Sequence, residues 1–219
     1  MNYEEGYHLK AHNFLISDSS YYNLRARLAF DRYFLNVGIQ DNSKVLEYGC
    51  GLGQNILFLG NKAVGYDISK FALDFCKKKG IKVIGNKNLI DKFDVIFSAH
   101  TFEHLDNPLE DLFFIKSKLS KDGILILVLP REFQKDSSLN PDKRNYHLYS
   151  WNFRTINNLL DRAGFEVLQN KVYYGTGFRK LKFLSLFSFG LYDFFIRAIG
   201  YLANSSEMMI VARKKKQRD

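Results

Sequence analysis

The sequence contains few cysteines and prolines, and none of its hydrophobic runs is uninterrupted enough for a membrane span. Two cysteines, Cys50 and Cys76, exclude the dense disulfide framework of small secreted domains. Three prolines and no repeat or low-complexity tract exclude a proline-rich linker or a solenoid. The first six residues are acidic, and no apolar segment of the signal-peptide type follows them. These absences predict a cytoplasmic protein, free or peripheral to the inner face of a membrane. The 219 residues, 46% of them hydrophobic, predict one domain with a sizeable core.

The charge of the chain has one dominant sign. The formal net charge is +9, and much of the excess lies in residues 77–79 and 213–218. Such a balance favours an anionic partner, which could be a phosphorylated metabolite, a nucleotide sugar, RNA or an anionic membrane surface. Both basic runs are also compatible with a solvated helix end and a frayed terminus. Charge alone therefore does not choose the partner.

Short apolar segments alternate with helical patterns along most of the chain. This alternation predicts an α/β fold with a single doubly wound, mostly parallel, seven-stranded sheet. Ligands bind such sheets at the carboxyl ends of the strands, near the point where the strand order reverses. The predicted strands are 44–48, 63–66, 81–84, 93–98, 124–129, 165–174 and 207–213, and the predicted helices are 1–40, 55–59, 69–79, 108–120 and 151–163.

A glycine-rich segment, 47–53 (EYGCGLG), follows the first predicted strand. A dinucleotide fingerprint of the form G-x-G-x-x-G fails in both frames, because Gln54 or Ile56 stands at the last position. A phosphate-binding P-loop also fails, because no Gly-Lys-Ser/Thr follows. What remains is an acidic residue followed by alternate glycines, with Asp67 at a strand end 14 residues after Gly53.

This segment resembles motif I of class I S-adenosylmethionine-dependent methyltransferases. The resemblance extends over about residues 40–170 and includes VGYDIS at 64–69, FDVIFS at 93–98 and FEHL at 102–105. The small-molecule subgroups that it resembles are the ubiquinone-pathway O-methyltransferases and the methyltransferases of glycan gene clusters. The resemblance implies S-adenosylmethionine as the cofactor.

The resemblance also assigns cofactor contacts to particular positions. Glu47 would lie near the methionine end, the backbone of the glycines would line the cofactor, and Asp67 would accept hydrogen bonds from the ribose hydroxyls. Ile68 would flank the adenine, and Asn88 and Leu89 fall where the family contacts the adenine edge. The complete predicted set is Glu47, Gly49, Gly51, Gly53, Asp67, Ile68, Asn88, Leu89 and Ala99.

Two histidines are candidates for chemistry. A hydroxyl acceptor needs a general base, and histidine suits that role near neutral pH. His104 follows the fourth strand, and His147 lies in the polar loop after the fifth, so both are predicted to be catalytic. In the ubiquinone-pathway subgroup the positions of His100, Glu103 and His104 can serve a divalent metal. Because an acidic residue usually stands where His100 is, no metal is predicted, and a hydrogen-bond network is the alternative reading of these residues.

The two ends of the chain add segments to the core domain. Residues 1–40 are expected to form a helical lid, in which His8 and His12 either face the cofactor or lie on an exposed helix. Residues 41–213 form the cofactor-binding domain, and 214–219 form a basic tail. Residues 178–203, called the aromatic insert below, precede the last strand and could cover an apolar pocket, form a dimer contact or lie on a membrane surface.

The sequence thus predicts a methyltransferase that acts on a small molecule. O-methylation of a sugar, lipid or quinone-like acceptor, anionic or lipid-linked, is the leading hypothesis. An RNA methyltransferase is an alternative that the charge favours, but no appended RNA-binding module fits this length. A catalytically silent module that only binds the cofactor is the third reading.

Overall fold

The computed structural model describes residues 4–35, 37–86, 91–131 and 146–216. A seven-stranded sheet, ordered β3-β2-β1-β4-β5-β7-β6, runs through the middle of the molecule, and only β7 is antiparallel to its neighbours. The predicted α/β class and sheet are confirmed. The strands are β1 Val45–Tyr48, β2 Ala63–Tyr66, β3 Val83–Ile84, β4 Phe93–Ala99, β5 Leu119–Pro130, β6 Phe165–Tyr174 and β7 Ser206–Lys214.

In the part of the chain that the structure describes, six α-helices accompany the sheet: α1 Glu5–Ser17, α2 Ser19–Ala29, α3 Lys70–Lys78, α4 Pro108–Lys118, α5 Phe153–Arg162 and α6 Phe189–Leu202. A π-helical turn, Phe30–Phe34, extends α2, and two 3₁₀ helices span Leu57–Lys62 and Arg179–Leu186. Among the described residues, no helix combines the length and the hydropathy that crossing a membrane would require.

The core lies on both faces of the sheet, because successive strand residues point to opposite sides. Leu46 and Ile96 belong to the cluster that α4 and α5 cover, whereas Val45, Val95 and Phe97 belong to the opposite cluster. All five are at most 4% exposed. Strands buried on both faces have the near-continuous apolar sequences from which they were predicted.

Several element boundaries differ from the prediction. The helix expected over 108–120 ends at Lys118, because Leu119 already pairs with Phe93 in the sheet. The chain after the glycine segment forms a 3₁₀ helix from Leu57 instead of an α-helix over 55–59. The basic tail was predicted to begin at Lys214, but that residue is the last of β7 and pairs with Phe165.

The strand order reverses between β1 and β4. From β1 the chain moves outward through β2 and β3, and it then returns to place β4 on the other side of β1. The carboxyl ends of β1 and β4 therefore lie side by side, with Glu47 opposite Phe97. Such a switch point leaves a crevice outside the strand ends, which is where an α/β sheet binds ligands.

Candidate active site

A cavity of about 820 Å³ opens at this switch point. Its walls come from the carboxyl ends of β1, β2 and β4, from α1 and α2, and from the segment after residue 145. Two groups of its lining residues differ in charge. Asp67 and Ile68 form the group that we call the ribose end, and Arg25, Tyr33 and His100 form the group that we call the basic end.

The three glycines of the predicted cofactor segment have different roles. Each has a positive φ, so a larger residue would be strained there. Gly51 lines the cavity, and a Cβ built on it would meet nothing within 4 Å, so its backbone lies open to a ligand. Gly49 also lines the cavity, but its Cβ would collide with Thr101. Gly53 does not line it, and its Cβ would press against Ile81 and Cys76, which identifies packing as its role.

Asp67 lies at the end of β2 with its carboxylate at the cavity wall. Oδ2 accepts a hydrogen bond from the Gly51 amide (2.8 Å), and Oδ1 accepts one from the Ser69 amide (2.9 Å). These bonds orient the carboxylate and tie the glycine loop to β2. A carboxylate has about four acceptor positions, so both oxygens retain capacity for a ligand diol. Ile68 beside it is 66% exposed and presents an apolar side chain to the same cavity.

Glu47 is completely buried and does not line the cavity. Its Oε1 accepts a hydrogen bond of 2.7 Å from Asn55 Nδ2. Burial raises the pKa of Glu47 to about 8, although the Asn55 hydrogen bond acts in the opposite direction. Glu47 therefore does not face the cavity, and its contribution is to hold Asn55, just after the glycine segment, in place. Of the remaining predicted cofactor residues, Ala99 lines the cavity, and Asn88 and Leu89 lie outside the described residues.

The structure brings the two predicted catalytic histidines together. The ring centroids of His104 and His147 are 4.8 Å apart. The 146–149 segment is attached to the turn after β4, because the carbonyl of Glu103 accepts hydrogen bonds from the amides of Leu148 (2.7 Å) and Tyr149 (3.2 Å). His104 lines the cavity, and its Nδ1 lies 3.4 Å from the Tyr146 carbonyl. Burial lowers the pKa of His104, so the ring is neutral and able to accept a proton at neutral pH.

The side chain of Glu103 joins this histidine pair. One ligand-type atom from each of Glu103, His104 and His147 lies within 4.8 Å of the other two. Two imidazoles and a carboxylate are a donor set that suits Zn²⁺ or another first-row metal. The same three groups can also act as a base with its orienting partners. His100 is not part of this set, although sequence spacing predicted it beside His104.

His100 instead belongs to a charge network at the basic end, in which its side chain is 43% exposed and its carboxylate partners are buried. Its Nε2 lies 3.2 Å from Glu207 Oε2, and its Nδ1 lies 3.6 Å from Glu103 Oε1. Desolvation opposes the charged imidazolium, but the two carboxylates outweigh it and raise the pKa of His100 to about 10. His100 has a φ of 51°, a strained conformation for a residue with a side chain. The network therefore keeps a cation in the wall of the cavity.

Further members of this network come from distant parts of the chain. Glu207 of β7 accepts a hydrogen bond from the Tyr33 hydroxyl and lies 3.7 Å from the guanidinium of Arg32. Arg32 also pairs with Asp193 at 3.2 Å and donates to the Gly175 carbonyl at 2.6 Å. In this arrangement the positive charges of Arg32 and His100 compensate the negative charges of the carboxylates around them.

Arg25 is the functional candidate that sequence reasoning missed. It lines the cavity from α2, where the hydroxyl of Tyr21 accepts its hydrogen bond. Within the described part of the chain, no carboxylate lies within 4.0 Å of its guanidinium. A partly buried guanidinium without a carboxylate partner is costly, which favours an anionic ligand at this point. No local motif marks Arg25, because its position matters only once α2 lies at the wall of the cavity.

The N-terminal helix covers the cavity. Tyr7, His8 and His12 of α1 line it, and His8 is only 3% exposed. Burial, followed by the charges of His8 and Arg25, lowers the pKa of His12 to about 4. The two histidines thus face the cavity rather than solvent. No residue of the aromatic insert lines the cavity, and the last residue in the sequence that does so is Thr176.

Comparison with known proteins agrees with this geometry. Residues 20–170 match a family model described as a methyltransferase domain. Because the match covers more than half of the chain, the chain belongs to this methyltransferase family. It is a class I enzyme, and its cofactor is S-adenosylmethionine.

Individual relatives are distant. A tRNA U34 carboxymethyltransferase of Cronobacter sakazakii is 26% identical over an alignment of 164 residues, and the match covers 64% of this chain and 50% of that protein. The chain thus spans about half the length of this curated relative.

Solved structures share the fold. A chain in the complex of the Haloferax volcanii Trm112 methyltransferase activator with a methyltransferase has a TM-score of 0.67 and 14% identity, covering 97% of this chain and 98% of that one. The magnesium protoporphyrin IX methyltransferase of Synechocystis, with bound S-adenosylhomocysteine, has a TM-score of 0.59 and 14% identity, covering 90% and 84%.

Proposed function

We propose that the cavity binds S-adenosylmethionine with its ribose on Asp67 and its methionine carboxylate on Arg25. The cofactor has a diol in the middle, an apolar ring system at one end and a single carboxylate at the other. The ribose end offers a carboxylate for the diol and the exposed Ile68 for the adenine face. The basic end offers a guanidinium for the carboxylate, and the open backbone of Gly51 lies beside Asp67, to which its amide is hydrogen-bonded. This match of charge and polarity along one cavity carries the proposal.

The chemistry follows from the neighbours of the cavity. When bound, S-adenosylmethionine supplies an electrophilic methyl group on a sulfonium. The residues of this chain then have to place an acceptor in line, exclude water and remove a proton. His104 and His147 are proposed for the last task, because His104 lines the cavity in its neutral form and His147 packs against it.

The proposed reaction is methylation of a small molecule on oxygen. A hydroxyl acceptor of a sugar, a lipid or a quinone-like compound requires the base that the histidine pair provides. An anionic or lipid-linked acceptor is in keeping with the net charge of +9. In this proposal Asp67 and Arg25 bind the cofactor, and His104 and His147 remove the proton from the acceptor.

RNA is the second candidate acceptor. The tRNA-modifying relative and the basic composition favour it. The relative is about twice as long as the region that it shares with this chain, so its activity and substrate do not transfer directly.

Transfer of label from S-[methyl-¹⁴C]adenosylmethionine distinguishes these acceptors. Purified enzyme is incubated separately with total tRNA and with a protein-free metabolite and lipid extract. Label in the extract, on a product with one new O-methyl group, supports the small-molecule proposal. Label in tRNA alone overturns it. Tight S-adenosylhomocysteine binding without label in either fraction would support the third reading, a catalytically silent module that only binds the cofactor.

The same assay tests the histidine pair. His147→Asn and His104→Asn should each lower kcat by about 10²-fold or more, the usual contribution of a general base, and leave cofactor affinity unchanged. Adding EDTA separates this role from metal chemistry, since a proton acceptor needs no cation. Full activity of both variants would exclude the base assignment.

A further inference from the structure

We propose that the outer surface of the aromatic insert docks onto an anionic lipid bilayer. The insert comprises the 3₁₀ helix Arg179–Leu186, α6 and their flanking residues within 178–203. The inference is independent of the methyl acceptor. It rests on three properties of this surface: its apolar side chains, its charge and its attachment to the domain.

Helix α6 is apolar on both of its faces. Tyr192 and Ile196 on the inner face are completely buried against the domain. The outer face repeats large apolar residues at helical spacing, namely Leu191, Phe194, Phe195, Ile199 and Leu202, which are 37–81% exposed. A surface helix of a protein that contacts only water has a polar outer face. The outer face of α6 is therefore built to meet another apolar phase.

The preceding 3₁₀ helix and the residue after it continue this surface. Phe183, Leu186 and Phe187 are 51%, 85% and 78% exposed. In the described residues, nine of the seventeen exposed large hydrophobic side chains lie between Phe183 and Leu202. Exposed apolar residues that are scattered singly need no explanation, but a cluster of this kind marks an interaction surface.

The charge of the insert identifies the partner. Its basic residues are Arg179, Lys180, Lys182 and Arg197, and its only acidic residue is Asp193. The Asp193 carboxylate is held by Arg32 and Arg197 and is only 17% exposed. Two of its four cations are paired, Lys182 with Asp18 and Arg197 with Asp193, both at 2.6 Å. Arg179 and Lys180 are exposed, and they place positive charge next to the apolar rings. This combination suits a layer of anionic headgroups above acyl chains.

A second copy of the chain is a poorer occupant of this surface. Self-association would bring two chains of net charge +9 together through faces that are both basic. A transmembrane position is also excluded by length, since the 14 residues of α6 span about 21 Å, less than the roughly 30 Å of a hydrocarbon core. The geometry is that of a helix lying along the interface.

The insert is firmly attached to the domain. Gly200 packs so closely on Gly175 that a Cβ would lie 2.1 Å from the Gly175 nitrogen. Arg32 links the same region to α6 through Asp193. The segment after β6 that carries Gly175 also contains Thr176, which lines the cavity. A bilayer bound by the insert would thus hold the whole catalytic domain, not a loose tail.

Flotation of the full-length protein with large unilamellar vesicles tests the proposal. We expect binding to phosphatidylcholine vesicles that contain 30% phosphatidylglycerol, with at least a tenfold weaker partition to pure phosphatidylcholine. Raising NaCl from 0.1 to 0.5 M should weaken the binding to the anionic vesicles by a similar factor, because salt screens the basic residues.

Variants of the surface make the test specific. Phe187→Ser combined with Phe194→Ser should lower partition to the anionic vesicles by tenfold or more, with S-adenosylhomocysteine affinity retained as the sign of an intact fold. Phe113→Ser is the matched control, because Phe113 is 49% exposed on α4, away from the insert, and should leave partition unchanged.

Three results would overturn the proposal. They are failure of the wild-type protein to float with anionic vesicles, equal loss of binding in the control variant, or a stable wild-type dimer by light scattering that Phe187→Ser with Phe194→Ser converts to a monomer. The last result would assign the surface to a second copy of the chain.

Discussion

The two ends of the cavity are built in different ways. The ribose end comes from one short stretch of chain, in which β1, the glycine loop and the end of β2 lie within about twenty residues of each other. The basic end is assembled from α2, the turn after β4 and β7, and its ion pair between His100 and Glu207 joins residues 107 positions apart. Local geometry determines the first end, and packing of the whole domain determines the second.

This difference separates two kinds of functional residue. Asp67 is held by amides of its own neighbourhood, so it should tolerate changes elsewhere in the domain. Glu207 is buried and relies on His100 and Arg32 for charge balance, so the loss of His100 leaves its carboxylate with a larger desolvation penalty. The following predictions test this contrast, beginning with the largest expected effect.

The first prediction concerns the stability of the basic end. His100→Ala should lower the free energy of unfolding by about 2–3 kcal/mol, because the buried carboxylates of Glu103 and Glu207 lose a cation that is itself 43% exposed and partly screened by solvent. Urea unfolding at pH 6 is the appropriate measurement. The pKa raised to about 10 means that the stabilisation is complete below the unfolded value of 6.5 and declines as the pH rises towards 10.

A second substitution shows whether unbalanced charge causes the loss of stability in His100→Ala. Neutralising one of the two carboxylates that lose His100, in the double variant His100→Ala with Glu207→Gln, should recover part of the lost stability. If the double variant is less stable than the single variant His100→Ala, the charge-balance explanation is wrong.

The second prediction concerns the ribose end. Asp67→Ala should weaken S-adenosylhomocysteine binding by about 100-fold or more, because two hydrogen bonds to a charged acceptor are lost and each contributes about 1.5–3 kcal/mol. Isothermal titration calorimetry measures the effect, and Asp74→Ala on the exposed side of α3 is the control. Unchanged affinity in Asp67→Ala would remove the ribose assignment.

The third prediction is smaller and concerns Glu47, behind the glycine loop. A carboxyl whose pKa is raised from 4.5 to about 8 binds its proton more tightly in the folded state, so the folded state loses stability as the pH rises between those values. Glu47→Gln stays neutral and keeps an acceptor for Asn55. Its stability relative to wild type should therefore increase from pH 5 to pH 8. A difference that does not change with pH would mean that Glu47 is already ionised in the folded protein.

The sequence predicted the sheet and the ribose end because both depend on local patterns. Continuous apolar runs identify strands buried on two faces, and glycines before a strand-end carboxylate indicate the loop that is proposed to bind the cofactor. The same patterns did not separate Gly53, which packs against Cys76, from Gly51, which faces the cavity. That distinction depends on where α3 packs.

The histidine pair and the basic end were not predictable in the same way. His104 and His147 were each selected as residues near strand ends, but their contact depends on backbone hydrogen bonds from 148–149 to Glu103. Arg25 resembles any other arginine on a helix until its surroundings are known. His100 was expected beside His104, and a positive φ turned it towards Glu207 instead. Tertiary contacts, not spacing, set each of these positions.

The placement of the cofactor along the cavity is the central claim, and comparing two ligands tests it most directly. S-adenosylhomocysteine carries the amino-acid carboxylate, whereas 5′-methylthioadenosine has the same adenosine without it. Calorimetry on Arg25→Gln should show about tenfold or greater weakening for S-adenosylhomocysteine and no change for 5′-methylthioadenosine, while Asp67→Ala weakens both ligands. Equal weakening of the two ligands by Arg25→Gln, or no weakening of either, would contradict the assignment of the basic end to the methionine carboxylate.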